Sequence, residues 1–432
     1  MTGPEGSGGR REVVVTGIGV ITGSGTGRES FWANLRSGVS PVRPITRFDA
    51  SEFGSRIAVE IPDFEPRDYL ERNRARRLDR FGQLTLATTR LALEDAGLEP
   101  TDLVPERVGV QMGSALGGIA HAEIQTGRFL DRGLRGVDPR LALTVFCGAS
   151  SCNVAIEFDF RGPNSTNAMS CASGTMAVGD GFRLIREGAA DVVVAGGVEA
   201  PLAPLTFGSF ALIRAMSTRN DDPARAYRPF DADRDGFIMG EGAGVLILEE
   251  REHAVARGTR IYARISGYAT TNDPHHMTAP RPDASEATRA MAGALASARL
   301  DPDAVDYVNA HGSSTPLNDG TESMATQRVL GRRAAHVPVS GTKPFYGHAL
   351  GASGAIEAGI CAMVIAEGWI PPNLNLDTPG ADCGLDYVRE PAGRWHPVRH
   401  ALSNSFGFGG INASLVLSRD ADASDPAGAD GR

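Results

Sequence analysis

The segment STNAMSCASGTMAVGDGF, residues 165–182, joins a short extended run to a helical pattern through a turn of small residues. Cys171 lies in that turn, and Ala172, Ser173 and Gly174 after it let the backbone bend sharply. The start of a helix favours a thiolate over a thiol, because its free N–H groups carry partial positive charge. The segment is therefore typical of either a reactive cysteine at a strand-to-helix turn or a buried structural cysteine.

Strand and helix patterns alternate along the chain, which is typical of an α/β protein. Short runs rich in β-branched residues predict strands at 12–20, 107–114, 190–200, 244–250, 261–269, 306–312, 336–343 and 412–418. Helical spacing that mostly ends at a glycine predicts helices at 81–98, 174–189, 286–300 and 351–368. A strand followed by glycine occurs near residue 12 and again near residue 260, which indicates two similar halves.

The composition indicates a soluble globular protein, since 41% of the 432 residues are hydrophobic and 22% are charged. The net charge of −9 argues against nucleic acid as a partner. The five cysteines show neither a disulfide framework nor zinc spacing, so we expect no metal. The first residues lack the apolar segment of a signal peptide, and no apolar run is long enough to span a membrane. We therefore expect a cytoplasmic protein without a membrane partner.

The segment SGTKPFYGH, residues 340–348, contains Lys343, the only lysine among 43 basic residues. An ammonium group is a compact point charge whereas guanidinium is a planar fork, so the two are not interchangeable in a tight site. Lys343 precedes His348 by five residues, and His311 follows another predicted strand. Side chains that follow the carboxyl ends of strands in an open α/β sheet converge on one crevice. These residues and Cys171 together predict a thiol active site.

Four segments of the chain resemble the signature blocks of the β-ketoacyl-acyl carrier protein synthases. They are SCASG (170–174), NAHGSSTPLND (309–319), GTKPFYGHALGASGAIEA (341–358) and LSNSFGFGGINASL (402–415). The KAS II branch and the ketosynthase subunits of type II polyketide synthases are most similar, and the resemblance runs from about residue 12 to 418. It implies a thiolase-like fold, in which two pseudo-symmetric βαβαβαβαββ halves form a layered α-β-α-β-α core. We expect these halves at 11–259 and 260–418, between flexible tails at 1–10 and 419–432.

The resemblance also implies a decarboxylative condensation. Cys171 would carry an acyl chain as a thioester, received from the phosphopantetheine arm of acyl carrier protein, and no further cofactor is implied. His311 and His348 would donate hydrogen bonds to the malonyl thioester carbonyl as carbon dioxide leaves. The backbone N–H groups of Cys171 and Phe408 would hold the second oxyanion. Lys343, paired with Glu322, would set the position and protonation of the histidines.

Further residues correspond to positions that handle substrate and partners in the family. The side chains of Ser313 and Thr315 would bind the pantetheine arm, and Phe408 would also gate the site. Acyl-pocket and carrier-protein docking positions correspond to Leu116 and Phe210 and to Arg76, Arg77 and Arg214, although such arginines are equally typical of a solvated surface. The partners implied are acyl carrier protein and either a second copy, as a homodimer, or a chain-length-factor-like subunit, as a heterodimer.

Two motifs depart from the usual fatty-acid pattern and favour a type II polyketide ketosynthase. The chain reads HGSSTP for HGTSTP and TKPFYGH for TKSMTGH, so Pro344, Phe345 and Tyr346 would alter the wall beside His348. A housekeeping KAS II of fatty-acid elongation stays open as the alternative. A biosynthetic thiolase is disfavoured because NSFGFGGIN contains no second cysteine, and a non-catalytic chain-length factor is disfavoured because Cys171 is present.

Overall fold

The computed structural model describes residues 10–421. Most of the two predicted tails, 1–9 and 422–432, therefore lies outside the described residues. The predicted start of the C-terminal tail at 419 is too early, because Asp420 is 5% exposed and forms an ion pair of 2.8 Å with Arg251. The backbone N–H of Arg419 donates to the carbonyl of Arg399, so the last strand stays anchored beyond its end.

The described chain alternates strands and helices as predicted. The strands are β1 Val13–Thr22, β2 Gly25–Thr26, β3 Arg43–Pro44, β4 Ile57–Ala58, β5 Val108–Gly113, β6 Asn164–Asn167, β7 Val192–Glu199, β8 Gly242–Glu250, β9 Ala263–Asn272, β10 Tyr307–Asn309, β11 Pro338–Ser340, β12 Trp369–Ile370, β13 Asp386–Tyr387, β14 Arg394–Trp395, β15 His400–Gly407 and β16 Ile411–Ser418. The helices are α1 Arg28–Ser37, α2 Arg72–Ala75, α3 Arg80–Ala96, α4 Ile119–Arg132, α5 Leu141–Thr144, α6 Ala149–Phe158, α7 Ser173–Arg186, α8 Pro204–Leu212, α9 Arg251–Ala256, α10 Ser285–Ala298, α11 Pro316–Leu330 and α12 Ser353–Glu367.

The main sheet of the described residues has twelve strands, and the strand order on one side of its centre corresponds to the order on the other side. From one edge to the other the strands run β13-β11-β10-β15-β16-β9-β1-β8-β7-β5-β6, with β2 paired to β1. The order β1-β8-β7-β5-β6 on one side matches β9-β16-β15-β10-β11 on the other. The two halves meet where β1 and β9 pair antiparallel, with Val14 opposite Arg264. The two strand–glycine patterns in the sequence are thus the equivalent first strands of the two halves.

Helices form three layers around the two sheet halves. The outer helix α3 packs on β1 and β8 of the first half, and α10 packs on β9 and β16 of the second. Helices α7 and α12 contact each other and strands of both halves, so they form the central layer. This arrangement confirms the predicted α-β-α-β-α core. Leu350–Glu367 is long and apolar enough to cross a membrane by composition, with a hydropathy of 1.4, but 89% of it is buried inside the protein, as in a core helix.

Candidate active site

The site is built where the two central helices begin. Each follows a short 3-10 turn, Ser170–Ala172 before α7 and Leu350–Ala352 before α12. The first residue of each turn is left-handed, with φ of 49° at Ser170 and 38° at Leu350. Gly174 allows the helix starts to touch, because a Cβ there would lie 2.8 Å from the backbone of α12. Both helix N-termini, and the residues that precede them, are therefore held side by side.

Cys171 and His348 meet at this junction. The Cys171 side chain is 8% exposed and its Sγ lies 3.0 Å from His348 Nε2. Ser353 Oγ lies 3.0 Å from the other ring nitrogen, Nδ1, and the backbone N–H of His348 donates to the carbonyl of Ile238 at 2.7 Å. Both the ring and the backbone of His348 are thus fixed against the thiol.

His311 faces His348 from the second half of the protein. It follows the short strand β10, and the two imidazole ring centroids are 5.5 Å apart. The carboxylate of Glu322 accepts hydrogen bonds from the backbone N–H groups of His311, at 2.8 Å, and Gly312, at 2.9 Å. Glu322 therefore anchors the loop that carries His311.

Lys343 lies behind the histidines and is completely buried. Its Nζ is 2.5 Å from Glu357 Oε1, 2.5 Å from the carbonyl oxygen of His311 and 3.3 Å from His311 Nδ1. The predicted pairing of Lys343 with Glu322 is wrong, because Glu357 of helix α12 holds the ammonium and Glu322 binds backbone. These three contacts match the three N–H donors of an ammonium. They explain why a lysine, in a chain that otherwise uses arginine, occupies this position.

The lysine also fixes the tautomer of His311. An ammonium can only donate, so His311 Nδ1 must accept and the neutral ring carries its proton on Nε2. Burial, followed by the charge of Lys343, holds the pKa of both His311 and His348 well below the usual value. Both rings are therefore neutral at neutral pH, and a histidine that is not titrated at that pH can act as a fixed hydrogen-bond donor.

The cysteine departs from the thiolate expected at a helix start. Burial raises the pKa of the Cys171 thiol to about 12, and the charge of Lys343 and the backbone N–H of Phe408 lower it only in part. Loss of hydration outweighs these favourable contributions. The free protein thus holds a thiol, and His348 Nε2 is placed to accept its proton.

A cavity of about 370 Å³ opens onto these groups. Most of the residues singled out from the sequence line it: Leu116, Cys171, Phe210, Arg214, His311, Ser313, Thr315, His348 and Phe408. The hydroxyls of Ser313 and Thr315 are 2.8 Å apart, and that of Thr315 also accepts from the backbone N–H of Asn318, capping α11. The sequence-derived pantetheine, acyl-pocket and gate positions therefore share one cavity with the thiol and both histidines.

Phe408 contributes both backbone and ring to this cavity. Its N–H points at Cys171 Sγ, and its ring stacks on Phe210 with centroids 6.3 Å apart and planes 17° from parallel. A Cβ on Gly407 would lie 3.2 Å from the backbone nitrogen of Cys171, so the loop passes directly over the nucleophile. This geometry suits an oxyanion site formed by backbone N–H groups.

The remaining sequence-derived residues lie outside the cavity. Arg76 and Arg77 are exposed beyond the short helix α2, whereas Arg214 is exposed at the cavity itself. The expectation that Pro344, Phe345 and Tyr346 alter the wall beside His348 is wrong, because all three are buried and none of them lines the cavity.

Sequence reasoning missed two buried glutamates. Glu357 is the ammonium partner, and a charged residue in the middle of the largely apolar helix α12 was the signal that could have revealed it. Glu199, at the end of β7, accepts hydrogen bonds from the backbone N–H groups of Ala115, Leu116 and Gly351. It joins the loop of the predicted acyl pocket to the turn that precedes α12.

Comparison with known proteins agrees with this geometry. Residues 10–254 match the model of the β-ketoacyl synthase N-terminal domain, and residues 262–377 match that of the C-terminal domain. A 3-oxoacyl-[acyl-carrier-protein] synthase 2 from Synechocystis is 45% identical over 95% of this chain and 98% of its own length. The enzyme of the same name from Coxiella burnetii is 42% identical over 95% and 99%.

Solved structures show the same fold. A type II PKS ketosynthase, in complex with its acyl-carrier protein and bound to the hexaketide, is 34% identical with a TM-score of 0.88. The ishigamide ketosynthase/chain length factor is 37% identical with a TM-score of 0.89. Each match covers 95% of this chain and 100% of the other. The chain therefore belongs to the β-ketoacyl synthase family and is an acyltransferase that forms carbon–carbon bonds.

Proposed function

We propose that the protein condenses malonyl carrier protein with an acyl chain held on Cys171. The observation that carries this proposal is one cavity in which the thiol, two neutral histidines and the Phe408 N–H face each other. His348 Nε2 accepts the thiol proton as Sγ attacks the acyl thioester, and the departing pantetheine sulfur takes that proton up. No resident cofactor is needed, because pantetheine belongs to the substrate.

The histidines serve the second half of the reaction. Loss of carbon dioxide from the malonyl group leaves an enolate, whose oxygen accepts hydrogen bonds from the Nε2–H groups of His311 and His348. Ser353 Oγ lies 3.0 Å from His348 Nδ1 and can either accept from it or donate to it, so His348 can accept the thiol proton on Nε2 in the first half-reaction and carry a proton on Nε2 in the second. The enolate carbon then attacks the acyl carbonyl, and the oxyanion rests on the N–H groups of Cys171 and Phe408. Its collapse expels the Cys171 thiolate, which takes up a proton from solvent.

Acylation of the protein tests this proposal directly. Incubation with an acyl carrier-protein thioester, followed by peptide mass spectrometry, should place the acyl group on Cys171. Cys152 is the matched comparison, because it is the exposed cysteine among those described. Acylation of Cys152 instead would show that accessibility and not the site decides the reaction. His311→Ala should lower malonyl decarboxylation by about 10²-fold, the effect of removing one donor from an oxyanion site, and leave acyl transfer.

Two pathways share this chemistry. The type II polyketide ketosynthase that we favour from the sequence is supported by the two solved ketosynthases above. A KAS II of fatty-acid elongation is supported by the 45% identity to the Synechocystis enzyme. Tyr346 and its neighbours do not argue for either, since they do not line the cavity. One extension of a saturated acyl chain by the protein alone would favour elongation, and repeated condensation only with a partner subunit would favour the polyketide pathway.

Carrier-protein docking is proposed at Arg214, with Arg76 and Arg77 as further contacts. Arg214 is exposed at the cavity, where an acidic carrier protein would deliver its arm. Arg214→Glu should raise the KM for carrier-protein substrates and leave that for a short pantetheine thioester unchanged. Arg399→Glu is the matched control. Arg399 is exposed and lies just before the first residue of β15, whereas Phe408 follows the last residue of that strand. Equal effects of both variants would exclude a docking patch at Arg214.

A dimer is proposed through the β6 edge of the sheet. Strand β6 has a neighbour on one side only, and apolar side chains are exposed on the helices near this edge. They are Phe129 and Leu130 of α4, Leu143 of α5 and Ile156 of α6. Of these helices α6 packs on β6 itself. Exposed apolar side chains are typical of an interface, which the polyketide pathway would form with a chain-length-factor-like subunit and elongation with a second copy. Light scattering of the purified chain distinguishes a dimer from a monomer, and we expect a cytoplasmic protein in either case.

A further inference from the structure

Tyr346 contacts the charged pair behind the histidines. It is fully buried, and its hydroxyl donates to Glu357 Oε1 at 3.1 Å, the same oxygen that accepts from Lys343. Among the described residues, Glu357 Oε2 has no hydrogen-bond partner. Lys343 and Tyr346 are thus the two donors on a carboxylate that is otherwise surrounded by the core.

The phenol is held firmly in this position. Its hydroxyl lies 3.1 Å from Thr342 Oγ1, and its ring lies 6.1 Å, centroid to centroid, from that of Phe31 in α1. The backbone N–H of Tyr346 also donates to the carbonyl of Lys343. Ring, hydroxyl and backbone of Tyr346 are therefore each held in place, and the backbone bond joins Tyr346 to Lys343, which contacts His311.

The charge of Glu357 decides where Lys343 points. A buried carboxylate is stable only with donors, and burial already raises the pKa of Glu357 against the lowering effect of Lys343 and Tyr346. If one donor is lost, the carboxylate is more easily protonated and holds the ammonium less strongly. Lys343 would then be free to shift from His311 Nδ1, and the ring could exchange the tautomer that presents Nε2–H to the cavity.

We propose that Tyr346 is a positioning residue for the decarboxylation step, acting through Glu357 and Lys343 on His311. It touches neither the substrate cavity nor Cys171, so its effect belongs to the malonyl half-reaction and not to acyl transfer. This inference rests on the proposed role of His311.

The test compares Tyr346→Phe, Glu357→Gln and the double variant by release of carbon dioxide from malonyl carrier protein. Tyr346→Phe keeps the ring and should lower kcat about tenfold, since a hydrogen bond to a charged group is lost, with KM unchanged. Acylation of Cys171, measured by intact mass, should proceed at the rate of the original protein. The double variant should be no slower than Glu357→Gln alone, because the hydroxyl acts through that carboxylate.

Tyr262→Phe is the matched control. Tyr262 is a buried tyrosine whose hydroxyl donates to the carboxylate of Asp95 at 2.9 Å, so the variant also removes one donor from a carboxylate, but from one that does not pair with Lys343 or line the cavity. It should decarboxylate normally. A folded Tyr346→Phe protein with normal kcat, or rate losses that multiply in the double variant, would overturn the inference. If His311→Ala decarboxylates normally, the proposed function fails first; if only Tyr346→Phe does, the inference alone fails.

Discussion

Replacement of Lys343 by arginine tests whether the site needs a compact ammonium. The side chain is completely buried, and each of its three donors has an acceptor within 3.3 Å. A guanidinium keeps the charge but is larger and directs its donors in one plane. Extra volume in a packed core costs about 1–3 kcal/mol. A displaced donor at a stabilised oxyanion costs about 10²-fold in rate.

We therefore expect Lys343→Arg to decarboxylate malonyl carrier protein about 10²-fold more slowly, nearly as slowly as Lys343→Ala. Rates are measured as released carbon dioxide, and folding is checked by urea denaturation. A well-folded Lys343→Arg protein with normal activity would refute the argument, because it would show that any cation suffices.

Stability separates the charge of Lys343 from its role in catalysis. Lys343→Ala leaves the Glu357 carboxylate buried without its cation, which costs about 3–5 kcal/mol in such pairs. The double variant Lys343→Ala/Glu357→Gln removes the unpaired charge and should recover much of the free energy of unfolding. It should not recover activity, since His311 Nδ1 still lacks its donor. Recovery of both would mean that the lysine only balances the glutamate.

Three further changes have clear expected outcomes. Burial raises the pKa of Glu199 and Glu322 from 4.5 to about 7, so the folded protein binds these protons more tightly than the unfolded chain. The free energy of unfolding should therefore fall as the pH rises from 4.5 to 7. Glu199→Gln should make this fall less steep, and a flat profile for the original protein would contradict the raised pKa values. The rate of Cys171 alkylation should still be rising with pH at pH 9, and a plateau near pH 7 would contradict the raised thiol pKa. Gly174→Ala should lower the free energy of unfolding by about 1–3 kcal/mol, whereas Gly127→Ala, with open space around it, should not; equal denaturation midpoints would show that the helix starts are not in contact.

The fold was predictable because its signals are local. Each predicted strand contains at least one β-branched residue and several contain a run of them, and α12 is almost uniformly apolar. Strand β15, His400–Gly407, was not among the predicted strands. Its sequence HALSNSFG contains serine and asparagine and no β-branched residue, although most of the strand is buried. Some of its polar side chains have partners inside the protein: Asn404 Oδ1 accepts from Ser414, and Ser405 Oγ lies 2.7 Å from Thr175 Oγ1. Such tertiary bonding cannot be read from a periodic pattern.

The candidate active site was predictable in its members but not in all of their contacts. Cys171, His311 and His348 follow turns or strand ends, and parallel strand ends converge. The partner of Lys343 depends on the direction of a single 3-10 turn, which sends the ammonium towards α12 and not α11. The same turn places Tyr346 in the core. A rotation of about 120° per residue along such a turn decides which side chain faces substrate, and the sequence contains no signal for it.

The protonation state of the thiol is set by a balance that only the packed structure reveals. A helix start, the Lys343 charge and the Phe408 N–H all favour the thiolate, and these could be anticipated from sequence and resemblance. Burial of Cys171 opposes them and prevails. In the proposed reaction the thiol therefore stays protonated until His348 Nε2, 3.0 Å from Sγ, takes its proton as the acyl thioester is attacked. Activation of the nucleophile thus depends on His348 and not on a lowered thiol pKa.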